Sequence, residues 1–158
     1  MSTYWAARFL AAAELERRGY RVSIKDENAF DLLVTNDAGE QFSVIVKGLH
    51  GSGTPWIGKI ILLRDNLFYI LVSVGAERKD DRLFILSQSE WNILVEEYRR
   101  THPKDHGSGF LWDAPHQHEG KWDKLPGVDR TKKRRKCRKQ STSKEPKRMI
   151  NFSFVPLI

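Results

Sequence analysis

A carboxylate and a lysine occupy positions where two neighbouring strands would bring them together. Asp31 is the second residue of the apolar segment 30–35, and Lys47 is the last residue of the segment 41–47 that follows it. Because side chains alternate along paired strands, we expect the two groups to converge at one end of a sheet. A carboxylate can bind a hard divalent cation that polarises a phosphodiester and activates water. A lysine beside it could stabilise the developing negative charge.

The segment before these strands has a helical pattern. Residues 3–18 predict a helix that Ser2 or Thr3 would cap and Gly19 would end. Four alanines favour close packing of this helix on a sheet: Ala7, Ala11, Ala12 and Ala13. The helix also carries an apolar stripe, formed by Trp5, Ala6, Phe9, Leu10 and Ala13.

Strand patterns follow on both sides of the turn 36–39. Residues 20–25 alternate like a strand, and 30–35 reads as a strand buried on both faces. The turn then predicts a hairpin, with 41–47 as its second arm. Two further apolar runs predict a central strand and a shorter neighbour, at 67–74 and 82–86.

A second helix is predicted after these strands. Ser87 and Glu90 have the spacing of a capping box, and a helix should run from there to about Thr101. Beyond it, Trp112 and Trp122 are expected to anchor a loop-like segment on the body. The order α-β-β-β-β-β-α predicts an α/β sandwich over residues 1–126.

Four short motifs, in this order along the chain, resemble the PD-(D/E)XK nuclease-like superfamily. They are Ala12-Ala13-Glu14-Leu15, Arg17-Arg18-Gly19-Tyr20-Arg21-Val22, Phe30-Asp31-Leu32-Leu33-Val34 and Phe42-Ser43-Val44-Ile45-Val46-Lys47. The resemblance covers about residues 5–100. Within the superfamily, the chain looks most like small bacterial restriction-endonuclease-like proteins and archaeal Holliday-junction resolvases. The resemblance implies a restriction-endonuclease-like fold, in which helices flank a mixed β-sheet, together with a magnesium-dependent active site and DNA as the substrate.

The resemblance assigns active-site roles to only part of the expected set. Asp31 falls at the superfamily's metal-binding aspartate and Lys47 at its lysine. Ile45 stands where a Glu or Gln is usual, and Arg8 stands where a helix often supplies a further acid. An isoleucine cannot ligate a cation, and an arginine would compete with one.

Other roles remain open for these residues. Glu14 or Glu40 could replace the missing acid. Arg8 and Lys47 could instead hold a phosphate without any metal. Asp31 could equally be a structural cap and Lys47 a solvated strand end. The glycine loop 48–53 has the composition of a phosphate-binding loop but lacks the ending of a P-loop, which favours a mobile connection.

Positive charge is concentrated at the end of the chain. Residues 127–158 hold 11 of the 27 Lys and Arg residues and two of the 20 acids, which leaves 16 bases and 18 acids in residues 1–126. This basic extension, 127–158, should be flexible or loosely attached. It contains a run of adjacent bases that could bind phosphates or act as a nuclear-localisation patch: Lys132, Lys133, Arg134, Arg135 and Lys136. A solvated tail without a specific role is the alternative.

Histidines and the cysteine give weaker indications. The spacing of His102, His106, His116 and His118 could bind zinc, but Pro103 intervenes, and we expect polar surface-loop residues. Cys137 is the single cysteine and cannot form an internal disulfide. No secretory signal or membrane-length apolar run is evident. We therefore expect a cytoplasmic protein, or a nuclear one in a eukaryote.

Three functions are compatible with these patterns. The first is magnesium-dependent hydrolysis of DNA by Asp31 and Lys47. The second is a catalytically inactive nuclease-like protein that binds nucleic acid or a protein partner through Arg8, Lys47 and the extension. The third is a structural or interaction domain whose body never touches DNA. A homodimer is compatible with each. The first depends on the Asp31 carboxyl and the Lys47 amine facing the same layer.

Overall fold

A computed structural model describes residues 3–27, 30–50, 55–103 and 109–127. Contacts divide the chain into two units, Met1–Val128 and Asp129–Ile158. All of the described residues belong to the first unit. The basic run at 132–136, Cys137, His106 and residues 51–53 of the glycine loop lie outside the described residues.

The described part of the chain is an α/β domain. Its elements are α1 (Thr3–Arg17), β1 (Arg21–Glu27), β2 (Phe30–Thr35), β3 (Gln41–His50), β4 (Trp56–Ile57), β5 (Leu67–Val74), β6 (Arg82–Ser87), α2 (Gln88–Thr101) and β7 (Gly109–Phe110). Short 3₁₀ helices span Arg78–Asp80, His116–His118 and Trp122–Lys124. The predicted helices and the predicted strands are confirmed, with boundaries shifted by at most a few residues.

Five strands form one mixed sheet in the order β1-β2-β3-β5-β6. The first three are an antiparallel meander, β3 and β5 are parallel, and β5 and β6 are antiparallel. The two short strands β4 and β7 pair separately. Along the chain, α1 precedes the five strands of this sheet and α2 follows them, as the sequence predicts.

The hairpin between β2 and β3 is confirmed, and a buried asparagine shapes its turn. Oδ1 of Asn36 accepts hydrogen bonds from the backbone N–H groups of Ala38 and Glu40, at 3.0 and 2.9 Å. Gly39 adopts φ 86°, a left-handed conformation that glycine reaches without steric cost. These contacts fix the register in which β3 returns along β2.

The core has two layers, one on each face of the sheet. Alternation along β3 shows the division: Val44 and Val46 belong to the cluster beneath α1, whereas Ile45 and Leu49 pack on the cluster beneath α2. The expected anchors also lie in these layers. Trp122 packs on the α1 cluster and Trp112 on the α2 cluster.

Helix α1 buries a different face from the apolar stripe predicted for it. Its buried residues are Ala7, Arg8, Ala11 and Leu15, whereas Trp5 and Phe9 are exposed. The reason is the close approach of α1 to β3. A Cβ atom at Gly48 would lie 2.6 Å from Cβ of Ala7 and 2.9 Å from the carbonyl oxygen of Thr3. Small side chains therefore face the sheet, and the bulky aromatic residues stay outside.

Helix α2 begins as its sequence predicts. Ser87 is the N-cap, its hydroxyl accepts from the backbone N–H of Glu90, and the Glu90 carboxylate accepts from the backbone N–H of Ser87. The helix packs through Trp91, whose indole stacks on the ring of Tyr69 with centroids 4.3 Å apart. Burial raises the pKa of Tyr69 to about 12, against a small opposing effect of Arg64.

The last described residues are fastened to the sheet. The Tyr20 hydroxyl donates to the carbonyl of Pro126 at 2.9 Å, and Nδ2 of Asn36 donates to the carbonyl of Gly127 at 3.1 Å. The first unit is thus held in place up to Gly127. None of the helices in the described ranges is both long enough and apolar enough to cross a membrane.

Candidate functional site

The carboxylate of Asp31 is enclosed by groups from α1 and β3. Its Oδ1 accepts from the Tyr4 hydroxyl at 2.8 Å and lies 3.2 Å from Nε of Arg8. Its Oδ2 accepts from the backbone N–H of Val46 at 2.7 Å. Both carboxylate oxygens are therefore engaged within the fold.

An irregularity in strand pairing puts Asp31 in this position. The regular register between β2 and β3 begins at the pair Leu32–Val44, and the register between β1 and β2 shifts between Ile24 and Glu27. Asp31 lies just outside the regular ladder. Its side chain there accepts the Val46 N–H in place of a backbone carbonyl. The carboxylate consequently has a structural task at the start of β2.

Arg8 supplies the positive charge beside this carboxylate. Its residue surface is 1% exposed, and a buried guanidinium requires a charged or hydrogen-bonding partner. Its Nη2 donates to the carbonyl of Lys25 and, at 3.3 Å, to the carbonyl of Asp31. Its Cζ atom lies 4.9 Å from the ring centroid of Tyr4 and 4.8 Å from that of Trp5. Arg8 is therefore an internal counterion of Asp31, held between the sheet and two aromatic rings.

Lys47 lies on the other face of the sheet. Val46 belongs to the α1 layer, so alternation along the regular strand β3 places Lys47 with Ile45 and Leu49 on the α2 side. The Asp31 carboxylate, in contrast, contacts α1. The structure brings Asp31 together with Arg8 and does not bring it together with Lys47. No hydrogen bond or ion pair joins Asp31 to Lys47 among the residues that the structure describes.

The two alternative acids are also occupied elsewhere. Glu14 pairs with Arg17 and Arg18 on the surface of α1. Burial opposes ionisation of Glu14, but the hydrogen bonds from these arginines hold its pKa below the ordinary value. Glu40 accepts from Nδ2 of Asn36 at the hairpin turn, beyond the opposite end of β2 from Asp31.

The residues around Asp31 do not fit a bound magnesium ion. Magnesium prefers several oxygen ligands in octahedral geometry, whereas Asp31 here faces the guanidinium of Arg8, and Ile45 offers no ligand atom. Among the residues that the structure describes, no group of three His, Cys, Asp or Glu side chains could hold a metal ion.

A second polar cluster, not predicted from the sequence, lies at the start of α2. Nζ of Lys124 is 2.6 Å from Oε1 of Glu90 and 2.6 Å from Nδ1 of His118. His118 is 6% exposed, so the expectation of a surface-loop residue is wrong for this histidine. Burial and the charge of Lys124 lower the pKa of His118, while Glu90 acts in the opposite direction.

Glu90 has two functions in this cluster. Burial alone would raise its pKa, but the hydrogen bonds from Lys124 and from the Ser87 backbone and hydroxyl hold the pKa below the ordinary value. The carboxylate thus caps α2 and also binds Lys124 from the C-terminal part of the domain. The capping box identifies Glu90 in the sequence. Nothing local identifies Lys124, which is 34 positions away.

Both polar clusters have structural roles. The cluster at Asp31 is closed by Arg8 and Tyr4, and the cluster at His118 ties two parts of the fold together.

Comparison of the chain with known proteins gives no match to a family model, to a curated protein or to a solved structure.

Proposed function

We propose that this chain binds nucleic acid without hydrolysing it. The observation that carries the proposal is the buried ion pair between Arg8 and Asp31, with Nε and Oδ1 3.2 Å apart. Asp31 falls at the position of the superfamily's metal-binding aspartate, and the ion pair gives it a structural role instead. A cation at Asp31 would have to approach a guanidinium of like charge.

Lys47 and Ile45 support the same conclusion. Alternation along β3 assigns Lys47 to the α2 side of the sheet, and no hydrogen bond or ion pair joins it to Asp31 among the described residues. Ile45 packs on the α2 cluster and cannot accept or donate a hydrogen bond through its side chain. The three positions therefore supply no converging set of polar groups for attack on a phosphodiester.

Positive charge in residues 127–158 favours nucleic acid as the partner. Residues 127–158 hold 11 Lys and Arg residues against two acids. Such a segment neutralises phosphates and releases condensed counterions, which drives binding that depends steeply on salt. The remaining 16 bases and 18 acids give the body no overall attraction for a polyanion. The proposal therefore assigns most of the electrostatic contribution to the extension.

The fold is proposed to be restriction-endonuclease-like. The described domain offers a mixed five-stranded sheet preceded by α1 and followed by α2. Its first three strands are an antiparallel meander, and the third pairs in parallel with β5. This strand order and the sequence resemblance together support the proposed fold.

A cleavage assay tests the absence of hydrolysis. The full chain would be incubated with supercoiled plasmid and with a labelled single strand, in Mg²⁺, in Mn²⁺ and in EDTA. We expect no product above the level of the Asp31→Ala chain in any condition. Cleavage that needs Mg²⁺ and disappears in both Asp31→Ala and Lys47→Ala would overturn the proposal and establish a nuclease instead.

A binding assay tests the role of the extension. The full chain would carry Gln at Lys132, Lys133, Arg134, Arg135 and Lys136, and anisotropy of labelled DNA would be followed as salt increases. If all five basic side chains contact phosphates of duplex DNA, the slope of log K against log salt falls in magnitude by about 4.5, since each contact contributes about 0.9.

The matched control changes net charge by the same amount in the body. It carries Gln at five exposed bases, which are Arg21, Lys59, Arg64, Lys79 and Lys121. We expect this variant to keep most of the salt slope. An equal loss in both variants, or no binding by the unmodified chain at low salt, would contradict the proposal.

A further inference from the structure

Three aromatic side chains stand exposed together at the beginning of α1. Tyr4 is 44% exposed, Trp5 is 39% exposed and Phe9 is 55% exposed. We call these residues the aromatic face. The rings of Trp5 and Phe9 are nearly parallel, at 26°, with centroids 5.9 Å apart, and the rings of Tyr4 and Trp5 meet edge to face at 5.7 Å. They therefore form one continuous surface.

The aromatic face is held in place from below. The Tyr4 hydroxyl donates to Oδ1 of Asp31, and the buried guanidinium of Arg8 lies under the rings of Tyr4 and Trp5. Because these contacts already restrict the rings, the rings lose little further conformational entropy when a ligand stacks on them. The Arg8–Asp31 pair thus supports a surface in the place where the resemblance would put a catalytic centre.

The size of the aromatic face argues against a second copy of the chain as its occupant. Aromatic side chains bury about 150–250 Å² each, so exposures of 44%, 39% and 55% leave roughly 300 Å² in total. A stable protein interface buries about 800 Å² on each partner. The face is too small to hold a dimer by itself, whereas flat rings of this number suit a few unpaired bases.

We infer that the aromatic face is a stacking platform for unpaired bases of single-stranded nucleic acid. The inference rests on the proposed nucleic-acid binding and names the form of nucleic acid that the body prefers. Residues 127–158 of the same chain hold 11 Lys and Arg residues against two acids, and this positive charge complements a phosphate backbone. Bases in a duplex are stacked on each other and cannot cover the rings, so the platform discriminates against duplex.

The test compares single-stranded and duplex DNA of equal length by fluorescence anisotropy with the full chain. We expect Trp5→Leu combined with Phe9→Leu to lower the single-strand affinity about tenfold or more. Leucine favours helix, so α1 should remain folded, which circular dichroism would verify. The loss should be nearly the same at low and high salt, since stacking releases no counterions. Duplex affinity should change little.

Two further variants make the result specific. Trp5→Phe combined with Phe9→Tyr keeps both rings and should bind single strands like the unmodified chain. Leu62→Ala combined with Leu63→Ala removes apolar surface that is 90% and 70% exposed elsewhere, and it should have no effect. If the leucine variant binds single strands as tightly as the unmodified chain, the proposed stacking platform is wrong. The proposed binding through residues 127–158 is not affected by that result. If the unmodified chain binds no nucleic acid, the proposed function falls as well.

Discussion

Nζ of Lys124 lies 2.6 Å from Nδ1 of His118 and donates a hydrogen bond to it. An ammonium can donate to this nitrogen only while the imidazole is neutral with its proton on the other nitrogen. Protonation of His118 would replace the bond by repulsion between two cations. The contact between His118 and Lys124, the residue that also binds Glu90 of α2, therefore depends on pH.

The pH dependence of this contact has a definite sign. Burial and then Lys124 lower the pKa of His118 below its ordinary value of 6.5. The unfolded chain therefore takes up a proton first, so the contribution of neutral His118 is present above about pH 6.5 and lost as pH falls below it. We expect the melting temperature to fall between pH 7 and pH 5.

The matching variant is His118→Gln, which cannot titrate. Its melting temperature should vary less over the same pH range than that of the unmodified chain. Glu90 and Lys124 face His118 in both proteins, and the pKa of Glu90 lies below its ordinary value, so their charges are unchanged in this window. Equal pH profiles for the two proteins would rule out His118 as the titrating group.

Replacement of one member of the Arg8–Asp31 pair should be strongly destabilising. Arg8→Met leaves the Asp31 carboxylate without its cation in a position where the side chain is 12% exposed. Breaking a buried pair in this way costs about 3–5 kcal/mol. Urea unfolding would measure the change in the free energy of unfolding.

The double variant Arg8→Met with Asp31→Asn provides the control for that measurement. It removes both charges, and we expect it to be more stable than Arg8→Met alone. An Arg8→Met chain as stable as the unmodified protein would show that Arg8 is not the counterion of Asp31.

The close approach of α1 to β3 predicts that Gly48→Ala is destabilising. The new Cβ atom would lie 2.6 Å from Cβ of Ala7 and 2.9 Å from the Thr3 carbonyl oxygen, so the helix must shift. Overpacking of this kind costs about 1–3 kcal/mol. Gly127→Ala is the control, because a Cβ atom there meets nothing within 4 Å. Thermal denaturation of the two variants should differ clearly.

The N-cap of α2 gives a smaller and more local prediction. Ser87→Ala removes the hydroxyl that accepts from the Glu90 backbone N–H, and loss of such a cap costs about 0.5–2 kcal/mol. Ser87→Thr keeps a hydroxyl and should retain most of the stability. Chemical denaturation of these two chains and the unmodified one would rank them, and equal loss in both variants would contradict the capping role.

The sequence predicted the elements more successfully than their contacts, for physical reasons. The capping box of α2 could be recognised because its two partners are three positions apart and each side chain accepts from the other's backbone N–H. The buried face of α1 could not, because the alternating small and aromatic residues allow two faces. The absence of a side chain at Gly48 selects the face that carries Ala7.

The candidate site shows the same limit. Strand alternation predicts convergence of Asp31 and Lys47 only if β2 pairs regularly with β3 up to Asp31. The regular register stops one residue short, at Leu32, and the carboxylate contacts α1 instead. The contact between His118 and Lys124 also depends on the path of irregular segments, for which the sequence has no periodicity.

β3 and β5 meet in parallel, so hairpin formation alone cannot complete the sheet. The meander β1–β2–β3 and the hairpin β5–β6 each join segments that follow one another. The seam between β3 and β5 instead pairs positions 24 apart, from Ser43 with Leu67 to His50 with Val74. Closing the chain between β3 and β5 costs conformational entropy, and this cost precedes any gain from the hydrogen bonds between the two strands. The slow conformational search in folding is thus expected at the joining of two preformed halves.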